Sequence, residues 1–233
     1  MHATIITAAL AAALLTTPAF AETRTIELPE FTSVDISSGI DAKVTIGPQS
    51  VTADARNAAD LDELKLVVED GVLKAYTEWT LFGIFDLGIH RELRLTISAP
   101  SLNGVFASAG SDVEAKGITG DSLMFTSNAG SDLTLTGIAA KTVTLEAAAG
   151  ADLKAEGTCE VATIKADAGS DLKAADLKCA DVTVSGAAGS DIEVFASNSV
   201  RADAIAGTEI TVSGNPGTVT QNASAGGEIK IAD

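Results

Sequence analysis

Ala109-Gly110-Ser111-Asp112, Ala129-Gly130-Ser131-Asp132, Ala149-Gly150-Ala151-Asp152, Ala168-Gly169-Ser170-Asp171, Ala188-Gly189-Ser190-Asp191, Ala206-Gly207-Thr208-Glu209 and Ala225-Gly226-Gly227-Glu228 are copies of one short phrase. Their glycines stand 20, 20, 19, 20, 18 and 19 residues apart. A fixed period of this length means stacked structural units. Three residues after each glycine come Val113, Leu133, Leu153, Leu172, Ile192, Ile210 and Ile229, and five after it Ala115, Leu135, Ala155, Ala174, Val194, Val212 and Ile231. Mostly polar residues lie between them, which is the alternation of a half-buried strand. A second strand precedes the glycine, with Leu123, Val143, Ala162, Val182, Val200 and Val219 seven residues back and Val105, Phe125, Leu145, Ile164 and Val184 five back.

Such a repeat is too short for a strand, a crossover helix and a second strand, which together need about 30 residues. It suits one rung of a parallel β-solenoid, or β-helix, with rungs of 19–20 residues stacked about 4.8 Å apart. Right-handed coiling is the default for parallel connections. The glycine reads as a positive-φ or close-approach position. The alanine before it, present in every copy, predicts a tight interior corner. Only 4% of the residues are aromatic, which fits a thin core of Ala, Val, Leu and Ile and argues against a wide ligand cavity.

Residues 22–100 keep the alternation but lose the period, so they are expected to form an irregular β cap on the regular rungs of residues 101–233. Within that cap, Glu69-Asp70-Gly71 between two apolar runs predicts a tight hairpin. Residues 1–21 contain no Lys, Arg, Asp or Glu, run apolar from Ile5 to Leu15 and end in Ala19-Phe20-Ala21. This is the pattern of a cleaved signal peptide, and a run of eleven residues falls short of the roughly 20 that a membrane-spanning helix needs. The expected product is one exported domain, residues 22–233, in the periplasm or at the cell surface.

The chain carries 32 Asp and Glu against 15 Lys and Arg, a net charge of -17, and the leader contributes none of it. Such a surface repels nucleic acid and anionic membranes and welcomes basic peptides or divalent cations. Asp112, Asp132, Asp152, Asp171, Asp191, Glu209 and Glu228 fall in one column, one per rung. Two readings stay open for it. An Asp after Gly-Ser can cap a turn by accepting backbone N–H groups. Alternatively, neighbouring acids one rung apart can share Ca²⁺, whose oxygen ligands lie at about 2.3–2.6 Å.

Cys159 and Cys179 both lie ten residues before the next repeat glycine, hence in one column on adjacent rungs. Export to an oxidising compartment predicts a disulfide between them, with two small buried thiols as the alternative. Trp79, Phe82 and Phe85 concentrate aromatic residues in a chain that has few. They form either a flap over the open core or an exposed interaction patch.

The inventory for catalysis is poor. His90 is the only histidine beyond the leader, so neither a Ser-His-Asp triad nor a histidine metal cluster has support. A polysaccharide lyase or hydrolase on a β-helix would use a local pair of acids that breaks the repeat, whereas here the acids are the repeat.

The order of features resembles the putative auto-transporter adhesin head proteins, the GIN domain family. The resemblance rests on Phe31 before an apolar strand, Gly39-Ile40-Asp41 in place of a Gly-Ile-Asn turn, a Leu-x-Leu hairpin, Ile97-Ser98-Ala99-Pro100-Ser101-Leu102, and the serial Gly-Ser-Asp turns. It covers nearly all of residues 28 to 231. Asp41 departs from the family's asparagine and adds one more carboxylate. The resemblance implies an exported all-β domain with an adhesive role and no established catalytic residues. The expectation is therefore a non-catalytic binding or structural module of the cell envelope whose partner is a protein or glycan. Its runner-up is a Ca²⁺-dependent carbohydrate-binding protein. The strand edge near Ile229-Lys230-Ile231 could also pair with a second copy of the chain.

Overall fold

The computed structural model describes residues 22–77 and 92–232. The proposed leader and the aromatic segment with Trp79, Phe82, Phe85 and His90 lie outside the described residues. The chain forms β1 (Glu22–Ile26), β2 (Ser33–Ile36), β3 (Asp41–Ile46), β4 (Ser50–Ala55), a short helix α1 (Ala58–Glu63), β5 (Leu64–Glu69), β6 (Val72–Thr77) and β7 (Arg94–Ala99). There follow β8 (Gly104–Ala107), β9 (Asp112–Lys116), β10 (Thr119–Asn128), β11 (Asp132–Ala148), β12 (Asp152–Asp167), β13 (Asp171–Ala187), β14 (Asp191–Ile205), β15 (Glu209–Ser213), β16 (Thr218–Ser224) and β17 (Glu228–Ile231).

Most of these strands stack in parallel, as a β-solenoid of about six turns. The repeat does not divide into two short strands in the middle of the coil. Strands β11 to β14 run for 15–17 residues and bend round a corner, so that the first part of each pairs on one face and the last part on another. The first parts continue the row β7, β3, β9 and run on to β15 and β17. The last parts continue the row β6, β2, β8, β10 and run on to β16.

The N-terminal third is more regular than its sequence implies. Strands β2 and β3 lie between β6/β7 and β8/β9 and pair in parallel with both neighbours. Residues 33–46 thus supply a full rung, inserted out of chain order between the rungs that flank it in space. The insertion of β4, α1 and β5 between the rung-forming segments destroys the period without destroying the stack. Among the described residues the antiparallel pairings are the outermost ones: β1 with β4, β4 with β7, and β5 with β6. The β5–β6 hairpin turns on Asp70 and Gly71, at φ 52 and 76, the two positive values such a turn requires.

Both inward columns fill the core. Val113, Leu133, Leu153, Leu172, Ile192 and Ile210 are buried, as are Leu123, Val143, Ala162, Val182 and Val200. The last rung differs. Val219 keeps register with buried Val200, and Ile231 with buried Val212. Yet they are 41% and 40% exposed, because no described strand stacks beyond them.

Candidate functional site

Each repeat turn is made by two consecutive left-handed residues. Ala109, Ala129, Ala149, Ala168, Ala188 and Ala206 have φ of 53–56°, and the glycines that follow them have φ of 68–80°. Two positive φ values in succession define a type I′ turn. This corrects the reading of the alanine as an interior corner: the alanines are exposed. Corner burial falls one residue past the glycine, on Ser111, Ser131, Ala151, Ser170, Ser190 and Thr208, each at most 1% exposed. A Cβ added at Gly110, Gly130, Gly150, Gly169, Gly189 or Gly207 would meet nothing within 4 Å. Glycine is therefore favoured here by φ rather than by crowding.

The buried hydroxyls tie the turns. Ser131 Oγ accepts the Asn128 N–H at 2.9 Å and lies 3.0 Å from the carbonyl of Ala107 on the neighbouring rung. Ser170 Oγ donates to Ala147 O at 3.0 Å, and Ser190 Oγ to Ala166 O at 2.9 Å. Backbone bonds run from turn to turn as well: Gly130 N donates to Ala149 O, and Asp152 N to Ser131 O. Turns therefore superimpose, and the strands that leave them start in register.

Register aligns the acids. Asp112 pairs with Asp132, Asp132 with Asp152, Asp152 with Asp171, Asp171 with Asp191, Asp191 with Glu209, and Glu209 with Glu228. The column extends one step further than the repeat phrase shows. Ser38 and Gly39 have φ of 67 and 69°, Gly39 N donates to Ala109 O at 3.0 Å, and Ile40 N donates to Ser111 Oγ at 3.2 Å. Ser38-Gly39-Ile40-Asp41 is thus another copy of the turn. With Ala42 beside Val113 and Asp41 beside Arg94, Asp41 becomes the eighth carboxylate of the row, and Arg94 stands between it and Asp54 of β4. The signal available in the sequence was the Gly-x-Asp spacing, which Ile40 obscured by replacing the usual small residue.

Turn-capping by these acids is not what the structure builds. Among the described residues, none of Asp112, Asp132, Asp152, Asp171 and Asp191 accepts a backbone N–H through its side chain, a role filled at Ser131 by the hydroxyl. The row lies on the outer face and is mostly solvated. Asp152, in the middle, has its carboxyl pushed up by partial burial and by the neighbouring charges of Asp132 and Asp171, with Lys173 acting in the opposite sense.

Two residues along, the outward column is mixed: Lys43, Glu114, Thr134, Lys154, Lys173, Glu193, Thr211 and Lys230 follow one another in register. A shallow groove of about 220 Å³ runs between the two columns and is lined by Asp132, Thr134, Asp152, Lys154, Asp171 and Lys173. At the far end Lys230 holds Glu209 at 2.7 Å and Glu228 at 3.6 Å. No group of three or more His, Cys, Asp or Glu side chains is gathered to hold a metal ion among the described residues.

Cys159 and Cys179 are register partners on β12 and β13, with Cα atoms 4.5 Å apart, and are joined by a disulfide. The bond joins two neighbouring rungs, with Cys179 buried in the core and Cys159 packed against it. No helix among the described residues is long and apolar enough to cross a membrane.

The family model described as "putative auto-transporter adhesin, head GIN domain" matches residues 30–216. A comparison with curated proteins gives no match. Among solved structures, a putative adhesin from Bacteroides fragilis superimposes with a TM-score of 0.81 at 19% identity, covering 91% of this chain and 97% of that one. A putative lipid binding protein from Parabacteroides distasonis gives 0.69 at 16% identity, covering 91% and 97%. A putative adhesin from Parabacteroides merdae gives 0.67 at 13% identity, covering 91% and 96%. At these identities the likeness shows a shared fold.

Proposed function

Because the chain belongs to the putative auto-transporter adhesin head, GIN domain family, we propose that it is an exported, non-catalytic binding module of the cell envelope, and that it meets its partner through the carboxylate face. The observation that carries this reading is the single row of acids from Asp41 to Glu228, held in register by stacked turns. A rigid sheet presenting one charge per rung offers a repeating set of sites about 4.8 Å apart. Lysine and arginine side chains of an extended basic segment are long and flexible enough to reach such sites, and each solvated contact adds modestly while many together add up. Specificity comes from the adjacent mixed column, where Lys154 and Lys173 stand among threonines and glutamates and would repel a featureless polycation locally. Residues 1–21 supply the export signal, and the family's adhesive description agrees with work outside the cytoplasm.

The test is capture of a lysine-rich peptide and of envelope proteins by the purified chain, compared with a variant carrying Asn at 112, 132, 152 and 171. Capture that fails in the variant and weakens with salt supports the reading. Equal capture by both proteins overturns it. Repeating the experiment with Ca²⁺ and with EDTA separates direct recognition of cationic groups from recognition of a glycan through bridging calcium.

A further inference from the structure

The two ends of the coil are built differently. At the N-terminal end the chain doubles back, with β1 antiparallel to β4 and β5 antiparallel to β6. Ion pairs stand at both ends: Arg24 holds Asp62 at 2.7 Å and Lys74 holds Glu69 at 2.7 Å at the N-terminal one, and Lys230 of β17 holds Glu209 at 2.7 Å at the other. Charged edges and reversed strands are devices that keep a sheet from adding strands of another chain. Strand β16 at the opposite end has none of them. It reads Thr-Val-Thr-Gln-Asn-Ala-Ser, without a charge or a proline, and all seven residues are exposed. It pairs on one side only, with β14, so its other edge presents unpaired N–H and C=O groups among the described residues. The core ends in the same plane, at Val219 and Ile231.

We infer that a second copy of this chain covers that end, the two coils meeting tail to tail with β16 of one antiparallel to β16 of the other about Gln221. Gln221 is the middle residue of the strand, so a two-fold axis there sets Val219 opposite Ala223 and Thr218 opposite Ser224, apolar against apolar and hydroxyl against hydroxyl. Neutral β16 lets two chains of net charge -17 approach without setting like charges against each other at the contact. A two-fold contact consumes the open edge and closes. Head-to-tail stacking would instead have to pair β16 with the charged, antiparallel N-terminal end. The inference is independent of what the carboxylate face binds.

Light scattering of the purified chain over a range of concentrations reads the outcome directly: a mass twice that of one chain, falling to one on dilution. Gln221→Lys replaces an exposed polar residue, so the fold should survive, while two ammonium groups meet at the axis and the mass should halve. Gln221→Cys should form an inter-chain disulfide on mild oxidation. If Gln221→Lys loses its fold, formation or failure of that cross-link decides the matter. A wild-type protein that is monomeric at its highest soluble concentration overturns the inference, as does a folded Gln221→Lys variant that stays dimeric or an open-ended series of masses.

Discussion

Asp152 and Asp171 stand side by side in register on β12 and β13, each entering its strand from an equivalent turn. Like charges directly across a strand pair destabilise it by about 0.2–1 kcal/mol, and Asp152 has such a neighbour on both sides. Its folded carboxyl is raised above the usual carboxylate value, first by partial burial and then by Asp132 and Asp171. A group raised in the folded state favours folding when protonated. Its favourable contribution is complete below the unfolded pKa and is lost as pH rises through the folded one. Asp152→Asn should therefore raise the thermal midpoint at pH 7, and the gain over wild type should shrink as pH falls into the carboxylate range. Melting curves between pH 7 and pH 4 check this; a variant no more stable than wild type at pH 7 would remove charge repulsion as a property of the row.

The hydroxyl under each turn should matter more than the acid beside it. Ser131→Ala removes the acceptor of the Asn128 N–H and a partner of the Ala107 carbonyl in a position that is 0% exposed. Leaving such groups unpaired costs about 1–3 kcal/mol. Chemical denaturation should show the loss. Ala151→Ser is the complementary change, since Ala151 occupies the same buried column without a hydroxyl, and its effect should be smaller because no bond is broken.

What the sequence made legible was whatever repeats along the chain. Inward positions such as Leu133 and Leu153 could be assigned because apolar and polar residues alternate strictly on either side of them. The assignment failed at the turn, where Ala129 and Ser131 are both small and alternation gives no sign of direction; only the left-handed φ of Ala129 turns it outward. It also failed where rung order departs from chain order. Ser33–Ile36 contacts Val72–Ala75 and Gly104–Ala107, pairings that no local period encodes. Asp41 joins the row through that same out-of-order rung, and Ile40 hides its turn. Val219 shows a third limit, because its apolar character matches Val200 while its burial depends on a further rung.

Two glycines one corner apart should respond very differently to the same substitution. Gly150 sits at φ 69° with open space around its Cβ position, so Gly150→Ala should cost only the left-handed penalty of roughly 1–2 kcal/mol. At Gly157 an added Cβ would lie 2.1 Å from the carbonyl oxygen of Ile138 on the neighbouring rung. That contact involves backbone on both sides, so β11 and β12 would have to separate at the corner. Gly157→Ala should destabilise severely, and hydrogen exchange should report opening in β11 and β12 first. Equal stability of the two variants would contradict the close approach.

Reduction of the disulfide gives a last expectation. Cys159 and Cys179 are separated by 20 residues in sequence, and a closed loop of that size restricts the unfolded chain by about 3 kcal/mol in the chain-entropy description. Their strands are already paired on both sides of the disulfide, from Glu156 to Asp167 of β12, so reduction should leave the coil and its register intact. The stability it withdraws should come from the unfolded side. In a stacked repeat each rung is coupled chiefly to its neighbours, so the loss should concentrate in the rungs of β12 and β13. The oxidised protein should accordingly unfold at higher denaturant concentration than the Cys159→Ala/Cys179→Ala variant, with unchanged circular dichroism in the absence of denaturant. Coincident unfolding curves would show that the bond contributes nothing beyond the pairing it bridges.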